Sequence, residues 1–361
     1  MISLLIFIFI LGILILVHEF GHFIAAKKTG VRVERFSLGF GPQLLKRKKN
    51  NTEYYISAIP LGGYVKLLGD NLEEYKGGAD EYFSKPPGKR FWIIFSGPLL
   101  NYVMGFLFFW LVFFVGYPTL TTKVGGVLDG FGAQDAGIKV GDKITAVDGQ
   151  KVNAWEEIQN IIKDRKTAAR VSLSILRDNK EQEIEVWIRE KKLPDQLGQE
   201  RKVGLLGITP DYNEIIKVRH GLFESFSLGV KKTRELTVLT YKGLWRMITG
   251  KLSIRESVTG PLGIFYVTSI AASIGLTAVL HLIAVLSVSL AIFNLLPLPV
   301  LDGGYILLLA IEKIRGKYLN LKAERIITKV GVTVLLSLAI LVTYNDLLRV
   351  FGDKIQRIIA K

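Results

Sequence analysis

The chain has 361 residues, no cysteine, and 47 basic against 32 acidic side chains, a net charge of +15. With no thiol, disulfides and thiolate metal sites are excluded. The basic excess does not point to nucleic acid, because it is concentrated in loops between apolar runs of near bilayer-spanning length, the pattern of a multi-pass membrane protein.

Residues 1–17 carry no charge, and the run ends in His18-Glu19-Phe20-Gly21-His22. It lacks the basic start and the small-residue cleavage site of a signal peptide, so a retained first span is expected. Positions i and i+4 share a helix face, which lets both imidazoles approach one metal ion. Glu19, about 100° around the helix, is near enough to take a proton from a water held there. The plainer alternative is a set of polar residues closing a span. Against it stands the cost of a carboxylate at the bilayer centre, about 2.5–3.5 kcal/mol, which makes such groups functional by default.

Glycines and a proline interrupt residues 37–42, and residues 53–60 and 63–67 read as short β segments around Leu61-Gly62-Gly63. A small β-structure against the membrane is expected, then a polar loop to about Arg90. A second uncharged run covers residues 91–116. Beyond it, residues 142–152 alternate around Asp148-Gly149, a tight-turn dipeptide. Residues 154–163 have helical spacing. Val171, Leu173 and Ile175 alternate, as do Ile184, Val186 and Ile188, with Asp178-Asn179 between the two sets. Together they predict a compact β-rich domain. Residues 220–250, with Phe223, Phe226, Val230, Leu236, Leu244 and Trp245 among lysines and arginines, predict an amphipathic helix on the membrane surface. A third span is expected over residues 276–301 and a short fourth over 332–344, bracketed by Lys329 and Asp346.

The division expected is therefore residues 1–116, first membrane part; 117–200, the β-rich domain; 201–265, an amphipathic interfacial linker; and 266–361, second membrane part. Residues 27–90 hold 13 basic against 7 acidic residues, and residues 312–329 hold 6 against 2. Residues 117–200 are balanced at 13 against 14. Short basic loops stay cytoplasmic, so the β-rich domain is expected outside, although residues 201–260, at 11 against 5, run against the trend.

Two histidines leave a zinc ion one protein ligand short of the usual three. His220 and His281 lack ligand spacing. His281 precedes Asp302 by a stretch of roughly 30 Å of helix. Asp302 is the better candidate. It lies in Asn294-Leu-Leu-Pro-Leu-Pro-Val-Leu-Asp302-Gly303-Gly304, where prolines and glycines break a membrane helix. Irregular backbone at that depth is tolerated where it lines a protein-enclosed cavity; the plainer reading is a helix exit with a capping aspartate.

The motif at residues 18–22, paired with that at residues 294–303, resembles the site-2 protease family of intramembrane zinc metalloproteases, and most closely its bacterial regulators of the sigma-E protease type. Phe36-Ser-Leu-Gly-Phe-Gly41 and Ile59-Pro-Leu-Gly-Gly-Tyr-Val-Lys66 are similar to that group's membrane-dipping β-loop. Ser96-Gly-Pro-Leu-Leu-Asn101 is similar to its second-span signature and Thr259-Gly-Pro-Leu-Gly-Ile264 to the approach to its third span. Residues 124–190 resemble its PDZ domain, here single where several relatives have two.

The resemblance implies a polytopic α-helical membrane protein of about four transmembrane helices, with a membrane-associated β-loop and one extracytoplasmic PDZ-like domain. It implies Zn2+ held by His18, His22 and Asp302, Glu19 as general base, and Asn294 steadying the oxyanion. The β-loop, through Tyr55, Ile56, Ile59, Gly62 and Gly63, would hold an unwound substrate as an added strand. The expected function is an endopeptidase of the bacterial inner membrane, its active site toward the cytoplasm. It would cut membrane-spanning proteins such as trimmed anti-sigma factors or remnant signal peptides. Two rivals remain: a non-catalytic adaptor presenting the PDZ-like module, and a transporter with a broken helix. The transporter lacks a partner repeat for its single interrupted span.

Overall fold

The protein is described by a computed structural model covering residues 2–163, 165, 169–195, 197–253, 257–317 and 321–359. It forms two compact units: Met1–Val112 with Phe223–Lys361, and Phe113–Leu222.

In the first unit the apolar N-terminal run continues through the histidine motif as one helix, α1 (Ile2–Thr29). Two long strands follow, β1 (Val33–Lys49) and β2 (Thr52–Leu67), joined by Asn50 and Asn51, both at positive φ as a tight hairpin turn requires. Each strand is bent in two. Arg35 pairs with both Lys66 and Glu53, and Ile56 pairs with both Leu38 and Leu45. The hairpin is thus a four-segment sheet in the order 63–67, 33–38, 53–56, 45–49. Gly39 and Gly41, at φ 91° and 83°, make the bend in β1, a conformation that side chains disfavour. Helix α2 (Pro87–Val115) completes the first half.

The second unit contains β3 (Tyr117–Leu120), β4 (Val124–Val127), α3 (Gly132–Asp135), β5 (Lys143–Val147), β6 (Gln150–Lys151), α4 (Trp155–Ile162), β7 (Arg170–Arg177), β8 (Lys180–Trp187), β9 (Arg189–Pro194), β10 (Glu200–Leu205), β11 (Ile208–Pro210) and β12 (Ile215–Val218). Its main sheet is antiparallel in the order β6-β5-β7-β8. The turns fall at Asp148-Gly149 and Asp178-Asn179, all four residues at positive φ. Ile144, Val171, Leu173, Ile175 and Val186 face a core closed by Trp155, Ile158 and Ile162 of α4. Under it, Arg177 donates to both carboxylate oxygens of Asp142, at 2.7 and 2.6 Å. Burial pushes the Asp142 carboxyl up, but the Arg177 guanidinium and the Lys139 backbone N–H outweigh it and hold the group below its usual range.

This unit is larger than the 117–200 expected. β11 pairs with β4 and β12 with β3, with Ile215 opposite Leu120. Residues 201–218 therefore belong to the sheet unit and not to a linker.

The chain re-enters the first unit with α5 (Leu222–Ile248), α6 (Pro261–Ile274), α7 (Leu276–Asn294), α8 (Asp302–Arg315) and α9 (Leu321–Ile359). Among the described residues four helices are long and apolar enough to cross a membrane: α1, α2, α7 and Arg325–Leu348 within α9.

Two expectations change here. Helix α5 does not stand apart from the apolar helices. It runs antiparallel along α2: Phe226 packs edge-on against Phe106 and Trp110, and Tyr102 Oη is 2.9 Å from Thr237 Oγ1. Ser225, Gly229 and Thr233 are buried at four-residue spacing, the small-residue stripe by which membrane helices approach closely. The fourth apolar helix is also not short. Asp346 does not end it; the carboxylate is 2 % exposed and accepts the backbone N–H groups of Gly260 and Gly263, at 3.1 and 2.9 Å, at the N-terminus of α6.

Candidate metal centre

His18 and His22 stand one turn apart on α1, their Nε2 atoms 3.2 Å from each other. Asp302, the first residue of α8, brings Oδ2 to 3.2 Å from His18 Nε2 and Oδ1 to 3.6 Å from His22 Nε2. Ligands about 2.0–2.1 Å from a tetrahedral zinc stand roughly 3.3 Å apart, so the three side chains have the spacing of a closed donor set. One atom makes the same point chemically. Asp302 Oδ2 is buried without a hydrogen-bond partner, a costly state for a carboxylate oxygen unless a cation accepts its lone pairs. The N2O donor set fits zinc with an open position for water or substrate.

Local sequence explains how Asp302 reaches this place. Helix α7 stops at Asn294, and the chain turns through residues 295–301 before α8 begins. Val300 holds φ 78°, a left-handed value costing a β-branched residue on the order of 1–3 kcal/mol. Gly303 and Gly304 lie against the carbonyls of Leu295, Leu296 and Leu298, where any Cβ would collide. The start of α8 is also where a helix dipole favours a negative charge.

Helix α2 supports the histidines. Gly21 packs on the backbone of Ser96 and Gly97, and a Cβ at Gly97 would strike the His22 ring. Ser96 Oγ donates to the carbonyls of Gly21 and Ile93, each at 2.8 Å. His22 Nδ1 lies 2.8 Å from the same Ile93 carbonyl. A carbonyl only accepts, so Nδ1 carries the proton and the Nε2 lone pair faces the centre.

Glu19 borders the same space, with Gly63 of β2 packed against its Cγ and the Val65 N–H bonding its carboxylate. Asn294 Nδ2 is 3.5 Å from His18 Nδ1. The cavity these residues line has a volume of about 640 Å³. Its far end is walled by Tyr82, Arg90 and Glu312. Arg90 is 1 % exposed; its Nη1 donates to Glu312 Oε2 at 3.0 Å, and Nη2 donates to Oε1. The pair ties the start of α2 to α8. Burial pushes the Tyr82 phenol up.

The structure thus gathers His18, Glu19, His22, Asn294, Asp302 and Gly63 around one cavity. Tyr55, Ile56, Ile59 and Gly62 do not line it. Ile56 lies in the segment 53–56, which has strands on both sides and no free edge to receive another; Tyr55 shares that segment, with Ser37 and Lys46 as its neighbours. The sheet's outer segments are 63–67 and 45–49, each paired on one side only, and 63–67 is the one that borders the cavity. His281 packs edge-on against Phe109, and His220 packs edge-on against Phe113 and stacks on Tyr117. The supporting Ile93 carbonyl carries no sequence signal, whereas Ser96 and Asn101 are marked only by their shared motif.

The model of peptidase family M50 matches residues 6–338. The chain belongs to this family. An M50 peptidase of this kind is a zinc metalloendopeptidase, its cofactor Zn2+ and its substrates membrane-bound proteins cut within the membrane. Two relatives are matched over nearly their whole lengths. The regulator of sigma E protease of Haemophilus influenzae is 29% identical over 95% of this chain and 98% of its own. The zinc metalloprotease RasP of Oceanobacillus iheyensis is 28% identical over 96% of this chain and 98% of its own. Among solved structures, the PDZ domain of the SdrC-like protein Lmo2051 of Listeria monocytogenes covers 26% of this chain and 88% of its own at 23% identity, with a TM-score of 0.21.

Proposed function

We propose that His18, His22 and Asp302 hold the zinc of this peptidase, that Glu19 is its general base and that Asn294 donates to the oxyanion of the scissile carbonyl. The observation that carries the reading is the convergence of the three donor side chains, all ligand atoms within 4.8 Å of one another, from two helices far apart in sequence. An adaptor has no use for that convergence or for the strain at Val300. The chemistry supplied by zinc when bound is Lewis-acid polarisation of the carbonyl and acidification of water. The protein's own part is positional. Glu19 sits where it takes a proton from water and returns it to the leaving amine, and Asn294 offers an N–H to developing negative charge. A helical substrate hides its carbonyls, so the segment to be cut unwinds and adds as a strand to the edge at 63–67, next to Glu19.

In this reading the enzyme lies in the bacterial inner membrane. The sheet unit is a PDZ-like domain outside, the metal centre is toward the cytoplasm, and the substrates are trimmed anti-sigma factors or remnant signal peptides. Reconstituted in lipid vesicles, the protein is expected to cut a single-span reporter. Cleavage should stop when a chelator has removed the zinc and return when zinc is restored. Unchanged cleavage by protein shown to be metal-free sinks the ligand assignment.

Orientation is testable directly, because the chain has no cysteine and single cysteines need no background removal. Cysteines at Lys49 and at Tyr318, which lies outside the described residues, should react with an impermeant thiol reagent only from the cytoplasmic face. One at Asn179 should react only from the opposite face. Labelling of position 179 from the cytoplasm overturns the orientation.

A further inference from the structure

Each histidine of the centre needs its second ring nitrogen fixed, because a neutral imidazole can present a lone pair at Nε2 only when Nδ1 keeps the proton. For His22 the Ile93 carbonyl does this. Among the described residues, no backbone carbonyl plays that part for His18. Its Nδ1 faces two side-chain amides, Asn101 Nδ2 at 3.4 Å and Asn294 Nδ2 at 3.5 Å.

The two amides are not equivalent. Asn294 borders the cavity, and in the proposed reading its N–H groups serve the reacting carbonyl. Asn101 is wholly buried in α2, and its Oδ1 is a buried oxygen with no hydrogen-bond partner. A half-turn of that carboxamide exchanges its nitrogen and oxygen at nearly the same positions. It brings the orphaned Oδ1 to His18 Nδ1, where the oxygen accepts the ring N–H. The backbone there is held, since Ser287 Oγ of α7 donates to the Asn101 carbonyl at 2.7 Å.

We propose that Asn101 is the positioning residue for His18: its Oδ1 accepts the Nδ1–H, keeping the Nε2 lone pair on the zinc. Helix α2 then orients both histidines, His22 by main chain and His18 by side chain. Asn101 touches neither zinc nor substrate and acts only through the ligand. The inference rests on His18 being a ligand.

The test compares zinc retention by full-length Asn101→Leu, Asn101→Asp and His18→Ala proteins, titrated with a competing chelator in detergent. Leu has the branched outline of Asn but accepts no bond, and partners of this kind are worth about 10–100-fold in metal affinity. Asn101→Leu should weaken zinc by that factor, while Asn101→Asp, whose carboxylate accepts the same proton, should stay near wild type. A merely structural role predicts the reverse, because an unpaired buried charge harms packing more than leucine does. Wild-type retention by Asn101→Leu, or equal loss by Asn101→Asp, overturns the proposal. If His18→Ala itself keeps its zinc, the ligand assignment fails first, and the two failures are distinguishable. Should Asn101→Leu not fold, nitrogen NMR of the imidazoles in zinc-loaded wild type decides, with only four histidines to assign. His18 protonated at Nδ1 and protected from exchange supports the role; a His18 metal bond through Nδ1 or a freely exchanging Nδ1 proton overturns it.

Discussion

Glu19→Gln should give a protein that folds, keeps its zinc and no longer cuts. Glutamine has the same shape, and its side-chain oxygen can still accept the Val65 N–H that bonds the Glu19 carboxylate. Gly63, packed against Glu19 Cγ, meets the same atoms in the variant. What disappears is basicity: an amide takes no proton from water at any pH an enzyme meets. General-base assistance contributes typically about 10²–10⁴-fold, so the rate on a single-span reporter should fall by at least that much. Zinc content should not change, because Glu19 projects about 100° around α1 from the face shared by His18 and His22. Zinc stoichiometry and the cleavage rate, measured on one purified sample, separate the possibilities. Activity equal to wild type means that another group is the base. Loss of zinc in a folded protein means that Glu19 is a ligand and the donor set must be redrawn.

How much of this was legible in the sequence depends on the reach of each interaction. The histidine pair needed only the 3.6-residue repeat of one helix, and the turns at Asp148-Gly149 and Asp178-Asn179 needed only local backbone preference. Asp302 was findable because prolines and glycines in a membrane helix have few uses other than opening it. The signal weakened wherever the partner is remote. Strands β11 and β12 pair with β4 and β3, which lie far earlier in the chain, and their short runs do not carry that information. In α5 the lysines, arginines and aromatic residues suit a membrane surface, and the stripe of Ser225, Gly229 and Thr233 gains meaning only beside Phe106 and Trp110. Asp346 read as the end of an apolar run because a buried carboxylate capping another helix looks, in sequence, like an exposed one. Tyr55 and Ile56 seemed open to a substrate because nothing local foretells that β1 bends at Gly39 and Gly41 and covers the segment from both sides. Within α2 the motif ending in Asn101 was visible, but its purpose was not, since the imidazole it faces lies 83 positions away.

Asp302→Asn should cost the protein its zinc. The change conserves shape at the first residue of α8, and losing a negative charge at a helix N-terminus costs only about 0.3–1 kcal/mol, so the fold should survive. The centre does not survive so easily. Two imidazoles are neutral as ligands, and Asp302 is the only anion among the three donors. With an amide in its place a doubly positive ion would sit uncompensated among apolar helices, where a charge is expensive to bury. The amide also turns one of two oxygens into a donor facing His18 Nε2 or His22 Nε2, which opposes coordination further. The loss in affinity should therefore exceed the ~10–100-fold expected of a supporting partner such as Asn101, and cleavage should vanish with the metal. A chelator titration of wild type, Asn101→Leu, Asp302→Asn and His18→Ala should rank them in that order or with the last two together. If Asp302→Asn holds its zinc at a chelator concentration that strips His18→Ala, the third ligand lies elsewhere. The orphaned oxygen at Asp302 would then need another cation, or a donor from the substrate, to account for it.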